Sequence, residues 1–125
     1  MEMNVESKLY EFSPETKQII AVGDLHGDLN SFNKVLSYWR ESGEDAHLVF
    51  LGDYADRGSE GLEILETLMK LASNPKIVIL KGNHEDYPVS GYPTWGPCNL
   101  IHEVEDKTGN WEDYFHRNLK PFFEI

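Results

Sequence analysis

The 125-residue sequence holds a single cysteine, Cys98, so no internal disulfide can form and no paired-cysteine metal cage can be built. An unpaired thiol of this kind is the pattern of a reducing, intracellular compartment. Basic residues are scarce: eleven Lys+Arg against twenty-two Asp+Glu give a formal net charge of −11. Such a surface repels phosphate backbones and anionic lipid, which argues against nucleic acid and membrane as partners. Apolar runs are short, and none approaches the ~20 residues of a membrane span. The opening MEMNVESKLYEFS is acidic and polar where a secretory signal is basic and then apolar. A soluble, cytoplasmic protein is expected. Internal repeats, low-complexity tracts and linkers are also absent, and the length suits one domain with one modest core. At 40% hydrophobic and 26% charged, the chain should fold rather than remain disordered.

What is present is a repeated alternation. Gln18–Gly23 is an apolar run ending in glycine, which reads as a buried strand, and His47–Gly52 and Lys76–Leu80 repeat the pattern. Between the first two runs, Leu29, Phe32, Val35, Leu36 and Trp39 recur at helical spacing behind Asp28, an N-cap residue type, and Ser42-Gly43 closes the stretch. Between the second and third, Leu62, Leu65, Leu68, Met69 and Ala72 mark another helix that stops before Asn74-Pro75. Strand–helix–strand–helix–strand with short connections predicts two successive βαβ crossovers and one parallel sheet. After an irregular stretch punctuated by Pro88, Gly91, Pro93 and Pro97, residues 98–107 and 110–120 carry two further helical patterns. The chain ends on the apolar Pro121-Phe122-Phe123-Glu124-Ile125, which reads as a chain cut short, with long sheet edges left uncovered.

Each strand ends in a glycine followed by a metal-competent side chain: Gly23-Asp24-Leu25-His26, Gly52-Asp53 and Gly82-Asn83-His84-Glu85. Ligands of open α/β sheets bind beyond the carboxyl ends of the strands, so the three loops should converge. If β-structure continued to His26, the period of two would turn Asp24 and His26 to one face as a chelating pair. Asp53 offers two oxygens, enough to hold the same ion and bridge to a second met by the Asn83 amide oxygen. Hard oxygens with one imidazole suit Mn, Fe or Zn better than copper. Two such ions about 3.5–4 Å apart generate hydroxide from a bridging water and stabilise the attacking and leaving oxygens of a phosphoryl displacement. Arg57 can bind two phosphate oxygens at once. His84 is placed to protonate the leaving oxygen, with Asp56 holding its imidazole.

With these three blocks the sequence resembles the calcineurin-like metallophosphoesterase superfamily, in particular its phosphoprotein phosphatase (serine/threonine protein phosphatase) branch, over residues of roughly 18 to 86. GDLHG, GDYADRG and GNHE are similar to that branch's signatures nearly letter for letter. The resemblance implies Asp24 and His26 on a first metal, Asp53 bridging, Asn83 on the second, Arg57 on phosphate, and an Asp56–His84 pair for the leaving group. It implies two divalent or trivalent ions, Mn before Fe or Zn, and a phosphoprotein or small phosphoester substrate. It also implies an α/β fold, a central β-sandwich flanked by helices, of which residues 1–125 would be the amino-terminal part, the first βαβαβ half plus helices. Two further ligand histidines and a second arginine come from a carboxyl-terminal half absent here, and His102 and His116 do not take those roles.

Simpler readings stand beside these. Gly-Asp and Gly-Asn are ordinary turn dipeptides, Asp56 can cap a turn before the second helix, and Asp28 is an N-cap rather than a ligand. His47, His102 and His116 read as ordinary strand and helix residues, and Cys98 as a helix-start or core residue. Trp95, Trp111, Tyr114, Phe115, Phe122 and Phe123 have core spacing, yet without a second half they would form an exposed apolar face through which copies associate. Two alternatives to a protein phosphatase follow: a hydrolase of dinucleoside polyphosphates like the bacterial diadenosine tetraphosphatases, or an inactive fragment acting as a binding module.

Overall fold

Three parallel strands form one sheet in the order β1-β2-β3 in a computed structural model that describes residues 12, 14, 16–43, 45–88, 90–93 and 98–124. The strands are β1 (Gln18–Val22), β2 (Ala46–Phe50) and β3 (Ile77–Ile79); α1 (Leu29–Glu41) and α2 (Gly61–Leu71) are the two crossovers. The register pairs Val22 with Phe50 and Phe50 with Ile79, so all three strands end at one level. This alignment positions everything that follows. The Asp28 carboxylate caps α1, accepting from Ser31 N at 3.0 Å and from Ser31 Oγ at 2.7 Å. The pair holds the Asp28 carboxyl below its usual value.

Among the described residues the core lies on one face of the sheet. Ala46, Leu48 and Phe50 of β2 are buried with Phe32 and Leu36 of α1 and Leu62, Ile64, Leu65 and Leu68 of α2. His47 and Val49 on the other face of β2 are half-buried, and in β1 only Val22 is buried, with Ile19 half exposed. The expectation of strands buried on both faces is therefore corrected. Both crossover helices pack on one side, and on the other, among the described residues, Phe12 sets its ring edge-to-face against His47 at 5.3 Å. Apolar composition alone does not distinguish the two cases.

Beyond β3 come a 3₁₀ turn at Asn83–Glu85 and α3 (Leu100–Thr108), which Gly109 ends in the left-handed conformation. Asn110 then caps α4 (Trp111–Tyr114), and a π turn at Phe115–Leu119 leads into α5 (Lys120–Phe123). The helical run thus passes Pro121, which follows the π turn at the start of α5. Three of the late aromatics take the core place that their spacing indicates, rather than an exposed face. Trp111, Phe115 and Phe123 are buried and pack on Tyr87, with ring centroids 5.4–5.8 Å apart. Trp95 lies outside the described residues. Cys98 is half-buried, its sulfur 3.5 Å from Tyr87 Oη. No helix among the described residues is long and apolar enough to cross a membrane.

The later helices are tied to α2 by side chains. Lys107 pairs with Glu66 at 2.7 Å, and Tyr114 Oη donates to the same carboxylate at 3.1 Å. Glu103 Oε1 accepts from Leu62 N at 2.9 Å, capping α2 where Glu60 supplies no side-chain bond, while its buried Oε2 meets no hydrogen-bond partner among the described residues. Burial pushes the Glu103 carboxyl up from 4.5 to about 7. The folded protein holds a proton there that the unfolded chain releases, so this group lowers stability as pH rises from 4.5 to about 7. Glu103→Gln cannot titrate and should flatten that part of the decline. Melting temperatures of both proteins at about pH 5 and about pH 7.5 check this; an equal fall in both would assign the decline to other groups.

Candidate metal centre

The loop after β1 does not extend as a strand to His26, as a period-two pairing with Asp24 would need. It turns, with φ of 43° at His26 and 74° at Gly27. The turn is held by the loop after β2: Leu25 N and His26 N both donate to the Asp53 carbonyl, at 3.1 and 3.0 Å, and Gly27 N to the Tyr54 carbonyl at 2.8 Å. Gly58 N closes the exchange by donating to the His26 carbonyl at 2.8 Å. The pair nevertheless meets, with His26 Nε2 3.6 Å from Asp24 Oδ2. His26 Nδ1 lies 3.0 Å from the Ala55 carbonyl, which can only accept. The proton therefore sits on Nδ1 and leaves the Nε2 lone pair on the Asp24 side.

Asp53 completes the group. One ligand atom each from Asp24, His26 and Asp53 lies within 4.8 Å of the others. Asp53 Oδ1 accepts from His84 N at 3.0 Å, which draws the third loop onto the second. The Asn83 amide lies 3.0 and 2.9 Å from Asp53 Oδ2 and Oδ1. Turned nitrogen-first it donates to both; turned oxygen-first it adds a third oxygen that only a cation would hold there. Three oxygen donors and one imidazole fit a hard or borderline divalent ion.

His84 is buried, and its Nδ1 is 2.8 Å from Oδ2 of the fully buried Asp56. The other oxygen, Oδ1, accepts from Asn99 N at 2.6 Å and Leu100 N at 2.9 Å. Asp56 is thus a helix cap after all, for α3 rather than for the helix that follows it, and an imidazole partner at the same time. The His84 and His26 rings meet edge-to-face at 4.8 Å. Arg57 is exposed and pairs with no carboxylate among the described residues. His102 and His116 are exposed on α3 and the π turn. The contributions that sequence reasoning missed, the Ala55 carbonyl and the Asn99 and Leu100 amides, are backbone groups that no residue type announces.

Backbone strain concentrates here. Among the described residues, the non-glycine positions with positive φ are His26, Asp53, Asp56 and Arg57, each worth about 1–3 kcal/mol of strain that the surrounding bonds must offset. The family pattern of the calcineurin-like phosphoesterases matches residues 17–124. The chain belongs to that family. This calcineurin-like phosphoesterase chain is 36% identical over 85 residues to a protein phosphatase 2A catalytic subunit from Dictyostelium discoideum, covering 64% of this chain and 26% of the relative. It is 36% identical over 119 residues to the Shewanella-like protein phosphatase 1 of Plasmodium berghei, covering 86% and 32%. It is 31% identical over 99 residues to the asymmetrical bis(5'-nucleosyl)-tetraphosphatase PrpE of Anoxybacillus flavithermus, covering 73% and 40%. The chain therefore spans from about a quarter to two-fifths of the length of these relatives.

Gly82 shows how closely the loops of this family member approach. Its φ of −100° suits any residue, yet a Cβ there would run into Asp53 Oδ1 and Asp53 N. Gly82→Ala is expected to lower stability by about 1–3 kcal/mol as the second and third loops are forced apart. A thermal melt followed by circular dichroism reads this; an unchanged melting temperature would mean the loops move apart freely.

Proposed function

We propose that the chain carries the first part of a metal-dependent phosphoester hydrolase site of the serine/threonine protein phosphatase type. The supporting observation is the 4.8 Å contact between the rings of His26 and His84, one an expected metal ligand and the other an expected proton donor. Asp24, His26 and Asp53 would hold a first ion, and Asp53 and Asn83 a second, Mn before Fe or Zn. When bound, such ions supply positive charge to phosphoryl oxygens and acidify water. Arg57, exposed beside the site, would take two phosphate oxygens in its planar fork. The Asp56 carboxylate fixes Nδ1–H of His84 toward itself, and Nε2 is then the nitrogen that would give its proton to the leaving oxygen. Residues 1–125 would form the amino-terminal part of a single catalytic domain, in keeping with the share of each relative that they span. A dinucleoside polyphosphate is the second substrate reading, supported by the 31% identity to a tetraphosphatase over 73% of the chain.

The test is hydrolysis of p-nitrophenyl phosphate, with Mn²⁺ and with EDTA, by the purified chain and by a protein carrying the complete domain. In the complete domain Mn²⁺-dependent turnover is expected, abolished by Asp53→Asn, and lowered by about 10²–10⁴-fold by His84→Asn with Mn²⁺ retained. Activity surviving in Asp53→Asn would overturn the two-ion reading, and loss of Mn²⁺ from His84→Asn would make His84 a ligand. A folded chain that binds Mn²⁺ without turnover would be a binding module. Phosphopeptide against diadenosine tetraphosphate, with product analysis, separates the two substrate readings.

A further inference from the structure

Glu85 follows the expected ligand Asn83 and the expected acid His84 in one 3₁₀ turn, yet no chemistry above uses it. It is 1% exposed, and among the described residues no cation is paired with it. A carboxylate buried without a counter-charge must be satisfied by hydrogen bonds. Its bonds all go to backbone amides of the metal loops. Oε1 accepts from Asp53 N at 2.7 Å and from Gly82 N at 2.9 Å, and Oε2 accepts from Tyr54 N at 3.1 Å.

The amides of Asp53 and Tyr54 are the two nitrogens that define ψ of Asp53. One rigid carboxylate holding both fixes that angle, at a residue whose φ of 57° is left-handed. A strained residue persists only where its surroundings over-determine it. By taking Gly82 N on the same oxygen that takes Asp53 N, Glu85 also sets the separation between the second loop and Asn83. Tyr54, whose amide is gripped, is anchored at its far end by its hydroxyl on the Leu80 carbonyl at 2.5 Å.

We infer that Glu85 is a positioning residue for the metal centre: its carboxylate holds Asp53 in the left-handed conformation that aims the Asp53 oxygens at the ion, and it locks the Asp53 loop to the Asn83 loop. This rests on the metal site proposed above. Glu85→Gln keeps the shape but turns an NH₂ group against one of the three amide donors. Glu85→Asp keeps the charge but is one methylene too short to reach both loops.

The experiment titrates Mn²⁺ alone into the wild-type 125-residue chain and each variant, following free Mn²⁺ by electron paramagnetic resonance. Amide hydrogen exchange of the metal-free proteins is recorded alongside. Both variants are expected to weaken Mn²⁺ binding by about 10–100-fold, as removal of a group orienting a metal ligand does. The amides of Asp53, Tyr54 and Gly82 are expected to be protected in wild type and to exchange faster in Glu85→Gln. A lower melting temperature with Mn²⁺ affinity within twofold of wild type would make Glu85 merely structural and overturn the inference, while leaving the metal site standing. Unprotected wild-type amides at those three positions would overturn it without any variant. A wild-type chain that binds no Mn²⁺ would remove the metal site and this inference with it.

Discussion

The three loops of the candidate centre are tied together at Asp53. Its carbonyl accepts the amides of Leu25 and His26, its carboxylate accepts the amide of His84, and its own amide is held by Glu85. One residue thereby joins the loops that leave all three strands. The junction is available because the parallel register brings Val22, Phe50 and Ile79 to the same level, so each loop starts at the same edge of the sheet. A register slip of one residue would turn each side chain to the opposite face and take Asp53 away from its partners.

Such close joining has a conformational cost. The strained positions fall in the first two loops, and they are carried by a sheet whose buried face is packed against two helices. Rigid scaffold and strained loop are complementary: the loops hold a geometry that an isolated segment of the same sequence would abandon. Where glycine occurs at Gly82, the reason is steric rather than rotational, because Asp53 occupies the space a side chain would need.

Asp56 extends the same economy to the far side of the site. Its two oxygens serve different masters, one the His84 imidazole and the other the first amides of α3. The carboxyl-terminal helices, fixed to α2 through Glu103, Lys107 and Tyr114, thus reach the centre through one carboxylate. Displacement of α3 would unseat the orientation of His84 without touching a metal ligand. The chain belongs to the calcineurin-like phosphoesterase family, and its similarity to protein phosphatases and to a tetraphosphatase is in keeping with the phosphoryl chemistry proposed above.

By itself the sequence determined what is local. Periodic apolar residues specified α1 and α2, Asp28 its cap, and the three glycine-led blocks announced which side chains could hold metal or move a proton, because side-chain chemistry and spacing are written residue by residue. Tertiary structure decided which face of each strand is covered, that the loop at His26 turns rather than extends, that Asp56 caps α3, and that the aromatic residues of the last helices bury one another. The site bonds joining the loops and α3 connect groups 27 to 44 residues apart, and most use a backbone N–H or C=O. Backbone groups are the same for nearly every residue type, so their partners are chosen only when the folded chain brings the segments together.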